Sequence, residues 1–262
     1  MNRIDERFAK MKADGRKALI TFLTVGDPNM EVSEKAIYTM QEEGVDLIEL
    51  GVPFSDPAAD GPVIPRADER ALAQGVDIFK VFELVRKIRN NVEVPMVFLL
   101  YYNVMVQYGI EKFFKRCQET GVDGLIIPDL PYEESDEIKE YTEKYDVYQI
   151  SLVSPTSKDR IKNIAKDAKG FLYCISSLGV TGEKSSFVTN FDEFVGTIKK
   201  YTDVPACVGF GVSNGKQVKE LTKYFDGAIV GSAIVKSIAT GESVEERINN
   251  LREKIKDLKS GL

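Results

Sequence analysis

The chain of 262 residues contains no histidine, and that absence removes whole classes of chemistry. A Ser-His-Asp triad, a Cys-His pair and a His-ligated zinc site are all ruled out, so proton transfer falls to carboxylates, Lys, Tyr or Cys. Tryptophan is absent as well. Cysteine is scarce: Cys117, Cys174 and Cys207 are odd in number, far apart and form no CxxC pair. That pattern predicts reduced core thiols in a cytoplasmic protein, with no metal site. No apolar run approaches the ~20 residues of a membrane span. The N-terminal MNRIDERFAKMKADG alternates in charge and lacks the apolar core of a secretory signal. A basic excess is missing too. The net charge is −6, so no cationic stripe exists to neutralise nucleic-acid phosphates. The lysines at 252–259 are interleaved with acids and read as a solvated helix face.

What is present is an alternation. Eight short apolar runs recur along the chain: ALITFLT (18–24), DLIELGV (46–52), PMVFLLYY (95–102), GLIIPD (124–129), VYQISLV (147–153), GFLYCIS (170–176), PACVGF (205–210) and GAIVGS (227–232). Nearly continuous apolar character is how strands covered on both faces read. Amphipathic helical patterns lie between them, at 31–43, 77–90, 110–119, 133–144, 157–168, 190–200, 214–224 and 242–258. In the second of these, Ile78, Val81, Phe82, Val85 and Ile88 share one face, opposite Lys80, Glu83, Arg86 and Lys87. Asp77, Ser157, Asn190 and either Ser213 or Asn214 stand where N-caps are expected. Eight even units with no composition break predict a single α/β domain over residues 1–262, a (β/α)8 TIM barrel. An open doubly wound sheet is the alternative. An additional N-terminal helix, roughly 3–13, would cover the barrel bottom. The longest stretches without a helical or strand pattern follow strand 2 (53–76) and strand 6 (177–189). Both would lie on the C-terminal face, where barrel active sites are found.

One residue is out of place in this pattern. Glu49 sits between Ile48 and Leu50 inside an apolar strand, where ionisation without a partner costs on the order of several kcal/mol. The apolar runs listed above hold no Lys or Arg to pair with it. A desolvated, unpaired carboxyl has a raised pKa and can donate and accept protons near neutrality. The loop that follows carries Asp56 and Asp60 among Pro53, Pro57, Gly61 and Pro62. Taken alone, each of these acids reads as turn chemistry; Asp60 gains weight because its loop leaves the strand bearing Glu49, and Asp56 could face a partner.

Glycine-bearing turns follow strands 6, 7 and 8: Gly179-Val-Thr-Gly182, Gly209-Phe-Gly211-Val-Ser213 and Gly231-Ser232-Ala233. Backbone N–H groups of late barrel loops and a short helix N-terminus commonly bind phosphate, and Gly231-Ser232 opening into AIVKSIA suits such a helix start; plain turn chemistry is the competing reading. GVTGEKSS misses a Walker A loop because Glu183 stands where glycine is required, and Gly209-x-Gly211 lacks a third glycine at dinucleotide spacing. Phe22, Ile64, Leu99, Tyr101, Ile126, Tyr173 and Phe210 fall at strand ends or in the loops beyond them. Singly each reads as barrel core; together they would wall a flat apolar pocket suited to an aromatic ligand.

The stretch LIELGVPFSDPAADGPVIPRA, with ITFLTVGDPN (20–29), LLYYN (99–103), GLIIPDLP (124–131), YCISSLGVTG (173–182), GFGVS (209–213) and IVGSAIV (229–235), resembles the tryptophan synthase alpha chain family over essentially the whole length and in the right order. The resemblance implies a barrel lyase that cleaves indole-3-glycerol phosphate to indole and glyceraldehyde 3-phosphate by a retro-aldol reaction. It implies Glu49 as the acid/base that protonates indole C3 and helps remove the glycerol hydroxyl proton, and Asp60 as the carboxylate that accepts the indole N–H. It assigns Gly182, Gly211, Gly231 and Ser232 to the phosphate, Phe22, Tyr101 and Tyr173 to the indole pocket, and Thr181 to a loop contact with Asp60 on closure. It also implies a complex with a pyridoxal-phosphate β subunit as an α2β2 heterotetramer, contacted through Pro53 and Asp56, with no cofactor in this chain. The missing tryptophan fits an enzyme made when tryptophan is scarce. Ser177-Leu178 stands where some relatives carry an arginine. Two other functions share these features: a standalone indole-releasing lyase, and a non-catalytic activator of the β subunit.

Overall fold

The computed structural model describes residues 1–57, 61–175, 190–209 and 211–262. All eight apolar runs contain strand: β1 (Ala18–Thr24), β2 (Leu47–Gly51), β3 (Met96–Leu99), β4 (Gly124–Ile126), β5 (Tyr148–Gln149), β6 (Ser151–Val153), β7 (Leu172–Ile175), β8 (Ala206–Gly209) and β9 (Gly227–Val230). They form one sheet in the order β5-β4-β3-β2-β1-β9-β8-β7-β6, and the neighbouring strands pair in parallel. The two end strands of that order are successive in sequence, separated only by Ile150. The sheet therefore wraps into a barrel, as the alternation predicts.

The run 147–153 reads as one strand and is two. Its first half pairs with β4 and its second half with β7, so neither ladder extends along the whole run. Ile150, at the changeover, donates its N–H to Leu125 O at 2.8 Å and is buried inside the barrel.

Alternation along each strand sorts the apolar side chains into two layers. Ile20, Leu47, Val97, Ile126, Tyr173, Cys207 and Ile229 fill the interior, while Leu19, Ile48, Leu50, Phe98, Leu125 and Val208 face the surrounding helices. Leu47 points in and Ile48 out, so Glu49 points in.

The helix Arg3–Ala13 closes the bottom. Ile4, Phe8 and Met11, at helical spacing, are buried with the interior residues, and the Phe8 and Phe171 rings lie 5.8 Å apart. Its N-cap Asn2 accepts from Ile4 N–H and donates to Asp123 O and Asp146 O at 2.9 and 3.0 Å. Asp123, just before β4, receives Arg3 at 2.7 Å, Arg89 at 3.1 Å and the Met96 N–H at 2.8 Å.

Two helices differ from the sequence reading. The stretch 53–76 contains a helix, Val63–Ala73. Pro62 and Pro65 make it read as loop, yet Pro65 falls in the first turn, where no backbone N–H is needed for the intrahelical ladder. The run 95–102 stops as strand at Leu99 because Asp129 caps a helix over Tyr102–Tyr108, accepting the Tyr102 N–H at 2.9 and 3.1 Å. Asp77, Asn190 and Asn214 cap their helices through side-chain oxygens as expected; Ser157 stands at its N-cap without such a bond. The stretch 177–189 lies outside the described residues.

Asp123 ties the bottom helix, β3 and the helix Ile78–Ile88 together through buried charge, and burial pushes Arg89 down to about 10 despite that partner. Asp123→Ala should cost about 3 kcal/mol, since it leaves a buried guanidinium without its counter-ion. Urea unfolding reads this directly, and a loss under about 1 kcal/mol would show that Asp123 does not hold these elements.

Candidate active site

Glu49 occupies the interior layer near the strand C-terminal ends. It is 1% exposed, lies in register between Phe22 on β1 and Val97 on β3, and its Oε1 has no hydrogen-bond partner among the described residues. Desolvation lifts its pKa from 4.5 to about 8. The carboxyl is thus mostly protonated at neutral pH, a proton donor aimed into an apolar chamber.

Beside it sits a small apolar group of Phe22, Ile64, Ala67 and Val235, flanked by Val63 and Leu99. Phe22, Ile64 and Leu99 are therefore brought together as the pocket reading expects. One close approach needs glycine: a Cβ at Gly51 would lie 2.5 Å from the Phe22 ring, whereas one at Gly231 would make only ordinary contacts, 3.7 Å from Phe22 and 3.9 Å from Ile64. Ile126 and Tyr173 group with the barrel-interior side chains: Ile126 is in register with Leu99, and Tyr173 lies over Gly209, whose Cβ would come 2.6 Å from its hydroxyl. Leu99 packs against both groups. Tyr101, buried, stacks on Phe54 with ring centroids 4.8 Å apart. Phe210 lies outside the described residues, as do Asp60, Thr181, Gly182 and Ser177-Leu178.

Of the glycine turns, two are described. Gly211 takes φ +84°, a conformation that favours glycine. Gly231 is the N-cap of the helix Ser232–Ala239, with no side-chain cap; its carbonyl accepts the Ile234 and Val235 N–H groups at 2.9 and 3.1 Å, which leaves the Ser232 and Ala233 N–H groups at the helix start without an acceptor within the helix. The loop after β2 divides its two residues of interest: Pro53 is buried, whereas Asp56 is exposed and accepts from the Ser55 hydroxyl at 2.5 Å.

Val63, Ala67, Val235 and Phe54 complete these walls and escape a reading by residue type. Ile64 and Ala67 do stand three apart, but the flanking prolines hide the helical period. The thiols of Cys117, Cys174 and Cys207 are free, buried and pushed up by burial. Among the described residues no group of His, Cys, Asp or Glu is arranged to hold a metal ion, and no helix is long and apolar enough to cross a membrane.

The family model described as tryptophan synthase alpha chain matches residues 8–262. The chain belongs to the tryptophan synthase alpha chain family. It is 47% identical to the tryptophan synthase alpha chain of Thermoanaerobacter sp. strain X514 over 100% of both chains. A solved structure from Aquifex aeolicus VF5 superposes with a TM-score of 0.91 at 38% identity, covering 100% of this chain and 99% of that one. Mycobacterium tuberculosis tryptophan synthase does so with 0.90 at 35% identity, over 99% and 98%.

For this alpha-chain family member the buried acid has a consequence for stability. The unfolded chain releases the Glu49 proton near 4.5 and the folded chain holds it up to about 8. Between those values the folded state binds the extra proton, so Glu49 makes stability fall as pH rises, and the effect ends above 8. Glu49→Gln is neutral throughout. Its stability relative to wild type should rise between pH 5 and pH 8 by roughly 3–4 kcal/mol, at about 1.36 kcal/mol per pH unit. Denaturant unfolding at the two pH values checks this; a difference independent of pH would contradict the raised pKa.

Proposed function

We propose that the chain cleaves indole-3-glycerol phosphate to indole and glyceraldehyde 3-phosphate and delivers the indole to a β subunit for tryptophan synthesis. The observation that carries the reading is Glu49: a protonated carboxyl, buried without a hydrogen bond to Oε1 among the described residues, at the base of an apolar pocket. A fold tolerates such a group at a cost, and perturbed acids in clefts are where catalytic acids are found.

Glu49 donates its proton to indole C3, turning the ring into an indolenine-like cation. The hydroxyl on the glycerol carbon attached to the ring loses its proton, the bond from that carbon to the ring breaks, and the bonding electrons return to the ring as indole leaves with an aldehyde behind. The proton given at C3 balances the one removed from the hydroxyl, and the carboxylate left after the first transfer is the base for the second. Asp60 accepts the indole N–H and stabilises the positive charge that develops there. Phe22, Ile64, Leu99 and Tyr101 wall the indole, with Ile126, Tyr173 and Phe210; Gly182, Gly211, Gly231 and Ser232 hold the phosphate through backbone N–H groups; Thr181 meets Asp60 when the site closes.

Pyridoxal phosphate belongs to the β subunit, and this chain works without a cofactor of its own, in the cytoplasm, within an α2β2 complex. Asp56, exposed on the loop after β2, is suited to the β contact, and Pro53 shapes the same loop. A protein that only activated a β subunit would have no use for an unpaired acid in its interior, which favours cleavage over that reading.

Glu49→Gln and Asp60→Asn should each lower indole release by at least about 100-fold, the range of a lost acid/base group, with the fold retained by circular dichroism. Assaying purified chain with and without added β subunit separates the assignments. Near-wild-type turnover by the glutamine variant defeats the role of Glu49, and a rate indifferent to the β subunit favours a standalone lyase.

A further inference from the structure

We infer that Asp27 and Arg70 are positioning residues for this cleavage: their ion pair fixes the helix Val63–Ala73 so that Ile64 stands against Phe22 as one wall of the substrate pocket. The inference rests on the lyase reading above. Strand β1 and the loop leaving it run alongside this helix and touch it in order. Phe22 packs with Ile64 at the pocket. Two residues further on, the Thr24 hydroxyl donates to Asp68 Oδ1 at 3.3 Å, both residues buried. At the rim, Arg70 Nε and Nη2 donate to the two oxygens of Asp27 at 2.6 and 2.9 Å. The same loop is held a second time: Gln74 Nε2 donates to Pro28 O, and Gly26, at φ +92°, is packed so closely on Val76 that a Cβ would lie 2.6 Å away.

The pair joins an exposed guanidinium to a buried carboxylate: the Arg70 side chain is 41% exposed. The Asp27 side chain is 3% exposed, and two-pronged guanidinium binding sets orientation as well as distance. The helix also needs an external anchor. Among the described residues its N-cap Pro62 has no side-chain bond and its first turn has no acidic residue; the turn that carries Ile64 has the Ile64 N–H to Gly61 O bond at 3.3 Å. Glu49 does not share this dependence, because β2 is held by its ladders to β1 and β3. Loosening the helix should therefore weaken binding of the indole ring and leave proton transfer alone.

The variants are Arg70→Met, Arg70→Lys and the charge-balanced Asp27→Asn/Arg70→Met, which avoids stranding a buried Asp27 charge if the single change fails to fold. In the double variant KM for indole-3-glycerol phosphate should rise about tenfold, with kcat and the pH profile of kcat within about twofold of wild type. Arg70→Lys should fall between, since an ammonium cannot reproduce the fork. Indole binding by isothermal titration, which needs no turnover, should weaken by a similar factor. Unchanged KM and indole affinity in the folded double variant would overturn the inference, as would kcat and the pH profile shifting along with KM. An inactive wild type that still binds indole would instead refute the lyase reading, and the titration would still judge the pair.

Discussion

Both faces of nearly all strands in this barrel are covered, the half-buried β5 and the start of β6 excepted, and that constraint decides what each position can hold. A closed parallel sheet has no solvated side, so successive residues alternate between two apolar compartments. Leu47 and Ile48 accept that condition; Glu49 violates it, facing the interior beside Phe22 and Val97. The cost of the violation is lowered by keeping the proton, and the raised pKa is therefore a direct product of the fold. The N-terminal helix belongs to the same constraint. With Ile4, Phe8 and Met11 filling the bottom of the interior, the acid's chamber is bounded below by packed side chains, and the substituents that can reach it come from the strand C-terminal ends.

What was legible in the sequence follows from this physics. Two-sided burial produces continuous apolar runs, so all eight barrel staves could be read from composition alone, and Glu49 stood out because it breaks the rule. The split of the run 147–153 was not legible. It arises from a change of pairing partner at Ile150, and pairing is a property of neighbours, not of the run. The helix Val63–Ala73 was hidden because Pro62 and Pro65 carry the signature of a turn, whereas the missing N–H of a first-turn proline costs the helix nothing. The apolar character of Ile64 nonetheless marks it in the sequence, and it packs with Phe22. Asp60 lay at the other limit: spacing left it as a turn residue, and only resemblance to the alpha-chain family gave it chemistry.

The site joins rigid and adjustable parts. Glu49 and Phe22 ride on paired strands whose register fixes them to each other. Ile64 comes from a helix that has to be located against β1, and the contacts that locate it lie progressively farther from the pocket, from Thr24–Asp68 to Asp27–Arg70. Groups that must be placed to within about half an ångström are best carried by regular elements supported by further contacts behind them. Here the support is graded, apolar at the pocket and ionic at the rim. At the rim, the charge of buried Asp27 is matched by Arg70.

That grading keeps the contacts of β1 with the helix apart from the ladder position of Glu49. β1 supplies Phe22 beside Ile64 and then Thr24 and the Asp27 loop to the helix; β2 supplies Glu49 and then leaves into the loop with Phe54 and Asp56. Phe54 stacks on Tyr101, so the loop suited to a β-subunit contact also touches a predicted wall of the indole pocket. The acid itself stays on the ladder between β1 and β3. A neutral, desolvated Glu49 requires that ladder to remain closed, because admitting water would lower its pKa toward the ordinary carboxylate value.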